Sequence, residues 1–508
     1  GGDVPGETDG GRLQIRAPIG YGRAFHDPAV NWRYRAEPDP TLGGRAGYWP
    51  RGKVLGGSSS INAMVWMRGL PEDYEDWRAA GNPGWGWEEV GAAFGRIERR
   101  AAPCGATTGE GPLWVSDREP EMHPCRRRFY AAAAEAGLPL TRDHNGPAPE
   151  GVGPYALTTK RGLRCSAADA FLRPAMRRAN LRVETRALVE RVLFEGRRAV
   201  GVAWRDAAGR ARRATARVVI LSAGAVNTPQ RLQRSGVGPG PLLQAMEIPV
   251  VSAAPGVGAH LKDHLGINYV FRATEPTLNQ ALGRWRGRIG CGLAFAARRR
   301  GPLSLSVNQV GGLVRSAPDR PRPDMQLYMN PLSYSVAFDR KREMFRPDPH
   351  PGFIVGFNAC RPSSEGRVEI ASPAADAAPR IFPNALATNH DVREAVAGAR
   401  LVGRLQDTAA LRALIDGAPL IDLTAASDDA ILDDFRARAS SVFHACGTCR
   451  MGPEAAGGVV DERLRLRGVE GLRVADASVF PDIPSANTNA PAIMVGRRAA
   501  EIILEDDA

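Results

Sequence analysis

Residues 52–64 read Gly52-Lys53-Val54-Leu55-Gly56-Gly57-Ser58-Ser59-Ser60-Ile61-Asn62-Ala63-Met64, and the fold class turns on how this stretch is read. Paired glycines let a main chain turn where a Cβ would clash, and let it approach a bulky anion closely. The serines that follow add N–H and hydroxyl donors of the kind that gather around a diphosphate. A short Gly/Ser run is usually only a turn. This one is longer, and it ends in an apolar segment that could lie along an aromatic ring system.

Outward from it, two kinds of segment alternate. The first is Gly-rich, with a strand running into a tight turn or a helix start: Tyr48 to Gly69, Ala216 to Ala223 before Gly224, and Leu472 to Phe480. In nucleotide-binding α/β folds such junctions bring backbone amides to a ligand. The second kind contains amphipathic helical stretches and candidate sheet strands at Asp324 to Met329 and Gly352 to Ala359. The spacing also predicts a C-terminal helix, with Pro491 in its first turn and Ile493, Gly496, Ala500 and Ile503 at helical intervals. Its N-terminus, at Asn489 and Ala490, carries about half a positive charge. A chain of 508 residues exceeds the roughly 250–300 at which single cores stop growing. Two domains with interleaved segments are therefore expected.

Composition excludes several classes. With 43% hydrophobic and 24% charged residues, the chain is neither disordered nor fibrous. The net charge of +12 invites a nucleic-acid reading, but only Lys53, Lys160, Lys262 and Lys341 are lysines. The arginines that supply the rest are scattered among Ala, Gly and Pro. The densest runs, Arg126 to Arg128 and Arg298 to Arg300, lack the interleaved aromatics that stack bases. They read as solvated faces or, less strongly, as contacts for an acidic partner, and no nucleic acid is expected. Seven cysteines make no disulfide framework in a chain this long; they point to a reducing compartment and an expected cytoplasmic location. Cys446 and Cys449 form a C-x-x-C without a second pair, so packing is the expected role rather than metal or dithiol chemistry. No segment approaches the ~20 apolar residues of a membrane span, and residues 1–12 are not a signal peptide.

Continued through Trp66, Arg68-Gly69 and Glu75, the opening stretch resembles the first signature of the glucose–methanol–choline oxidoreductases. A second signature is similar to Gly224-Ala225-Val226-Asn227-Thr228-Pro229-Gln230-Arg231-Leu232-Gln233-Arg234-Ser235-Gly236-Val237-Gly238. Arg231 stands where the family usually has an aliphatic residue. Further landmarks follow in order: Pro255-Gly256-Val257-Gly258 with Asp263-His264, Arg361-Pro362-Ser363 with Gly366-Arg367-Val368, and Leu472 to Ser478. They run from about Trp49 to the C-terminus.

The resemblance implies an α/β, Rossmann-like FAD-binding domain interleaved with an α+β substrate domain built on a mainly antiparallel sheet with helices. The first is expected at 1–90, 155–265 and 437–508, the second at 91–154 and 266–436. It implies FAD held by Gly56, Gly57, Ser58, Ser59, Asn62, Ala63, Met64, Gly224, Asp476, Ala477, Asn489 and Ala490, with Val189 on the strand whose backbone meets the adenine. Some relatives attach the flavin covalently through a histidine where this chain has Ile61, so noncovalent FAD is expected. Met64, Trp66, Phe357 and Phe443 are expected to line the substrate pocket.

The catalytic pair implied is His444, within His444-Ala445-Cys446-Gly447-Thr448, and Asn487, with Asn489 as a nearby rival. Oxidising a primary or secondary alcohol removes a hydroxyl proton and moves a hydride to flavin N5, and a neutral imidazole suits the proton. The C-terminal helix start would face the charge arriving near flavin N1. Oxygen or a quinone-like acceptor would reoxidise the flavin. Two other readings stand beside this one: a non-redox flavoprotein lyase of the same fold, and a relic unable to hold FAD.

The relic reading arises because family members open with a strand, a G-x-G-x-x-G turn, a helix and a second strand ending in an acidic residue. None of these is found in residues 1–508, and Gly236-Val237-Gly238-Pro239-Gly240 fails the spacing. The expectation is that the chain starts at the Gly1-Gly2 following that acidic end. It would then lack a βαβ start of about 30 residues, leaving a parallel sheet short of two buried strands.

Overall fold

A computed structural model describes residues 13–339 and 342–506. The expected junction at Gly1-Gly2 lies outside the described residues. The elements that position the cleft are, in chain order, strands β1 (Val219–Leu221), β2 (Leu265–Arg272), β3 (Val310–Val314), β4 (Met325–Asn330), β5 (Gly352–Ala359), β6 (Ser440–Ser441) and β7 (Leu472–Val474). The helices that matter are α1 (Trp87–Ile97), α2 (Leu278–Gly283), α3 (Trp285–Arg298), α4 (Asn389–Gln406) and α5 (Asn489–Asp506).

β1 and β7 pair in parallel, Val219 opposite Leu472 and Leu221 opposite Val474. Both run into turns at their carboxyl ends, where open α/β sheets receive ligands. The pair is shorter than the sequence suggested on both sides, because Gly224 turns one chain and a 3₁₀ turn at Ala477–Val479 takes up the other. Val219, Leu221, Leu472 and Val474 are buried in a cluster with Trp66, Trp77, Trp85, Phe480 and Met494. α1 belongs to this cluster too, because its apolar face of Val90, Ala93, Phe94 and Ile97 is buried there. Most of α1, with Leu113 and Val115, thus shares a core with residues 219–221 and 472–474, although the sequence alone set 91–154 with the other domain.

The second core lies behind a five-stranded antiparallel sheet in the order β3-β4-β5-β2-β6. Alternation along its strands sorts the side chains cleanly. Met325, Leu327 and Met329 of β4, Phe353, Val355 and Phe357 of β5, and Ile267, Tyr269 and Phe271 of β2 are buried against Ala395, Ala399, Val402 and Leu405 of α4. Burying each large side chain is worth roughly 1.5–3 kcal/mol. The opposite parity brings Gln326, Tyr328 and Asn330 of β4, Asn358 of β5 and Asn268 of β2 to the cleft, alongside the apolar Ile354 and Val270 outside it. Gln326 sits opposite Asn358, and Asn358 opposite Gly266, so these two amides lie side by side in one row across the sheet. Gly356 is needed beneath Tyr328, because a Cβ there would come within 2.3 Å of the phenol ring.

Candidate active site

Two loops bring His264 and His444 together. The Cys446 backbone exchanges hydrogen bonds with Lys262, at 3.1 and 3.0 Å, and this pairing lays Asp263-His264 alongside His444. The peptide joining Phe443 to His444 is held at both polar ends. Arg51 Nη1 donates to its carbonyl at 2.7 Å, and its N–H donates to Asp263 Oδ1 at 2.6 Å. Phe443 adopts φ of 71°, a left-handed conformation that costs a bulky residue on the order of 1–3 kcal/mol. Asn487 is fixed from behind, since Asp73 accepts from both the N–H and the hydroxyl of Ser485 at 2.8 Å.

The side chains then form one directed chain of hydrogen bonds. His264 Nε2 is 2.8 Å from the Cys360 carbonyl, which can only accept, so Nε2 carries the proton and Nδ1 has the lone pair. His444 Nδ1, 2.9 Å from His264 Nδ1, must therefore donate to it. That leaves the lone pair of His444 on Nε2, where the Asn487 Nδ2 amide donates at 2.9 Å. Asn487 Oδ1 in turn accepts from Gln326 Nε2 at 3.1 Å. Every group has one consistent role, and the network assigns the tautomer of both imidazoles.

Electrostatics keep that lone pair free. Burial lowers His444 well below its ordinary 6.5, and neighbouring His264 and Arg51 push in the same direction. Burial also holds His264 down at about 4. Asp263 moves the other way, raised by burial to about 6 despite its hydrogen bond from Ser441 and the nearby Arg51 charge.

The pair opens onto a cleft of about 1260 Å³, larger than the roughly 300–1,000 Å³ of an ordinary small-molecule site. Gly56, Gly57, Ser58, Ser59, Asn62, Ala63, Met64, Gly224, Asp476, Ala477, His444, Asn487 and Asn489 all line it. Ala490 and Val189 do not. Ala490 is fully buried in the first turn of α5, and Val189 pairs with Trp204 in a separate antiparallel sheet. Asn487 rather than Asn489 meets His444. Among the expected pocket residues, Met64 and Phe443 line the cleft but Trp66 and Phe357 do not. Met64 has φ of 64°, which breaks the strand alternation and sends Trp66 into the core, where its indole N–H donates to Glu98 at 2.8 Å. Phe357 lies on the core parity of β5 and lines a separate cavity of about 80 Å³.

The cradle suits a dinucleotide with a diphosphate. Gly57 and Gly224 have φ of 56° and 86°, and a Cβ on either would meet no protein atom within 4 Å, so their backbones face open space. Arg51 lines the cleft with Nη2 buried and without a hydrogen-bond partner among the described residues. Asp476 bolts the two turns together, accepting from the Gly224 N–H at 2.8 Å, the Thr228 hydroxyl at 2.6 Å and the Ser478 N–H at 2.7 Å. Its charge is thereby spent on the protein rather than turned on an anion. Arg164, buried beneath the glycine turn, donates to Ser59 O, Asn62 O and Asn62 Oδ1 at 3.1, 2.7 and 2.8 Å.

A sequence model of the GMC oxidoreductases matches residues 31–266 with its N-terminal part and 362–496 with its C-terminal part. The chain belongs to the GMC oxidoreductase family. Across 96% of its length this GMC oxidoreductase is 37% identical to an alcohol dehydrogenase (acceptor) of Pseudomonas putida, covering 88% of that protein. It is 39% identical to the mitochondrial choline dehydrogenase of Mus musculus over 97% of its length and 82% of the relative's. In structure it is similar to pyridoxine 4-oxidase from Mesorbium loti, with a TM-score of 0.84 and 28% identity over 98% of this chain and 92% of the other.

Four residues of this GMC oxidoreductase site had no role in the sequence reading: Arg51, Arg164, His264 and Gln326. His264 stood inside a recognised landmark, and its place in the motif was the available signal; Arg51 directly precedes the Gly52 to Met64 stretch. Gln326 had one as well, as the polar residue between Met325 and Leu327 in an expected strand. The departing residue, Arg231, is buried, with Nη1 donating to the Ala375 carbonyl at 3.3 Å.

Proposed function

We propose that this GMC oxidoreductase uses noncovalent FAD to oxidise a primary or secondary alcohol to its carbonyl compound, with His444 as the base. The observation that carries this is the directed hydrogen-bond chain ending in the His444 Nε2 lone pair at the cleft wall. When bound, FAD supplies the hydride acceptor. Gly56 to Met64, Gly224, Ala477 and the start of α5 would hold it. An alcohol hydroxyl displacing or joining the Asn487 amide at Nε2 gives up its proton there, and Asn487 donates to the oxygen. Orientation of this kind lowers a barrier by several kcal/mol. The proton stays on His444 Nε2, because Nδ1–H already points at His264.

Noncovalent attachment is supported by Ile61, an unreactive residue packed with Ile15, Ala24, Val30 and Val54. Uncharged alcohols with an apolar or aromatic group suit the cleft best. Tyr21, Phe25, Tyr334, Phe345 and Phe443 line it, with Tyr334 and Phe345 centroids 4.8 Å apart and Phe25 and Phe443 centroids 5.2 Å apart. The carboxylate among its described lining residues is Asp476, already committed, whereas Arg35, Arg51 and Arg497 are cationic. The relatives' names include an alcohol and a choline dehydrogenase, so both classes belong in the test, and oxygen or a quinone-like acceptor completes the cycle.

The deciding experiment is anaerobic mixing of FAD-loaded protein with benzyl alcohol, medium-chain alkanols and choline while flavin absorbance is recorded. Bleaching by a neutral alcohol, lost in His444→Ala with FAD retained, is the expected result. Bound FAD that no alcohol bleaches, or bleaching unchanged in His444→Ala, would overturn the reading.

A further inference from the structure

The arginine run at 298–300 closes a helix whose outward face is apolar. α3 packs inward through Cys291 and Phe295, which are 9% and 5% exposed. On the other side Trp285, Ile289 and Leu293, spaced as i, i+4 and i+8, are 67%, 53% and 66% exposed. Gly290, Ala296 and Ala297 are exposed beside them. A helix that is apolar on both its packed and its open side wants a second apolar surface.

Charge says which surface. Arg284 precedes the stripe, Arg286 and Arg288 lie in its first turn between Trp285 and Ile289, and Arg298, Arg299 and Arg300 follow it, all exposed. No Asp or Glu occurs between Glu275 and Asp319, and among the described residues none of these six arginines meets a carboxylate. Arg286 rests on the Trp285 ring at 5.2 Å, Arg299 on Phe295 at 4.9 Å, and Arg288 Nε donates to the Leu282 carbonyl at 2.6 Å. An exposed Trp/Ile/Leu stripe bracketed by cations is the pattern of a helix lying in the plane of a membrane interface, with its apolar side among acyl chains and its arginines at the headgroups. Among the described residues no helix is long and apolar enough to cross a membrane, so the contact would be peripheral.

We propose that α3 docks this protein on an anionic lipid bilayer, with Trp285, Ile289 and Leu293 inserted and the six arginines on acidic headgroups. The placement has a use. α3 follows α2 after a single residue, Arg284, and Leu278 and Leu282 of α2 pack with Tyr21, Met64 and Tyr334, three residues that line the cleft. A docked bilayer would then sit one helix away from the active-site wall, close to any apolar substrate or acceptor dissolved in it.

The test is sedimentation of the FAD-loaded chain with vesicles of phosphatidylcholine alone or of equal parts phosphatidylcholine and phosphatidylglycerol. At low salt the wild type is expected to pellet with the mixed vesicles and at least about tenfold less with the neutral ones. Binding should fall again at about 1 M salt, where the screening length is about 3 Å. Ile289→Glu with Leu293→Glu should abolish pelleting, and Arg286→Ser with Arg298→Ser and Arg300→Ser should weaken it about a hundredfold. The triple variant leaves the apolar face intact, so it covers the case in which the glutamates impair folding; FAD content and thermal unfolding report on both. The proposal is overturned if the wild type stays in the supernatant with mixed vesicles at low salt, or if both variants pellet as it does. A dimer that dissociates in the glutamate variant would also overturn it, because a second copy would then cover the face.

Discussion

His264 Nδ1 lies 2.9 Å from His444 Nδ1, two like ring nitrogens sharing one proton, and the Cys360 carbonyl decides which of them holds it. His264→Ala removes that acceptor, leaving His444 Nδ1–H unpaired in a buried place and its tautomer unspecified. Steady-state kinetics on the variant, at unchanged FAD content, should give kcat/KM lower by about 10²-fold, the low end of what general acid–base catalysis contributes. A variant with wild-type kcat/KM would mean that the tautomer is set elsewhere.

Gln326 orients Asn487 by donating to its oxygen at 3.1 Å. Gln326→Leu should lower kcat about tenfold, the worth of one net hydrogen bond near 1.4 kcal/mol. Gln326→Glu should do more damage, because a carboxylate there favours the flipped amide and turns the Asn487 oxygen toward the His444 lone pair. Equal rates for the Leu and Glu variants would count against this orientation.

On the proposed mechanism His444 acts when unprotonated, and burial, His264 and Arg51 all depress its pKa. The kcat/KM profile should therefore stay level as pH falls through 6.5 and decline only well below it. Arg51→Met removes a neighbouring cation, so the acid limb should move up toward 6.5, while Arg51→Lys should move it less. Stability follows the same sign. A neutral His264, depressed to about 4, contributes stability that is fully present above its unfolded value of 6.5 and lost as pH falls through about 4. Denaturant midpoints measured across that window should fall more steeply in the wild type than in His264→Gln.

Gly56 has φ of 83°, and a Cβ on it would lie 2.6 Å from the Ser60 hydroxyl. Gly56→Ala should destabilise the fold by about 1–3 kcal/mol, read as a lower thermal midpoint even before cofactor is added. Gly57→Ala meets no protein atom within 4 Å, so its larger effect should be on flavin content. If the two variants behaved alike, the open space before Gly57 would have no ligand in it.

What the sequence made legible was local. Glycines with positive φ, the strand at Gly352–Ala359 and the first turn of α5 depend on residues close together in the chain, and their patterns can be read directly. The core of the site depends on separations that no local pattern encodes. His264 and His444 are 180 residues apart, and Gln326 and Asn487 are 161 apart. Parity was the other obstacle. Phe357 and Asn358 are neighbours on one strand, and only the docking of α4 decides which of them faces the cleft. Trp66 was misplaced for a related reason, since alternation counted from Met64 fails when Met64 itself is left-handed.

The Asp476 carboxylate joins the turn at Gly224 to one 252 positions later in the chain. During synthesis the first turn leaves the ribosome long before its partner exists. Until residues 476–489 are made, the Gly224 N–H lacks that carboxylate, and neither Asn487 nor the start of α5 is present. The nucleotide cradle is thus completed only once residues 476–489 have been made, and cofactor capture waits on both segments.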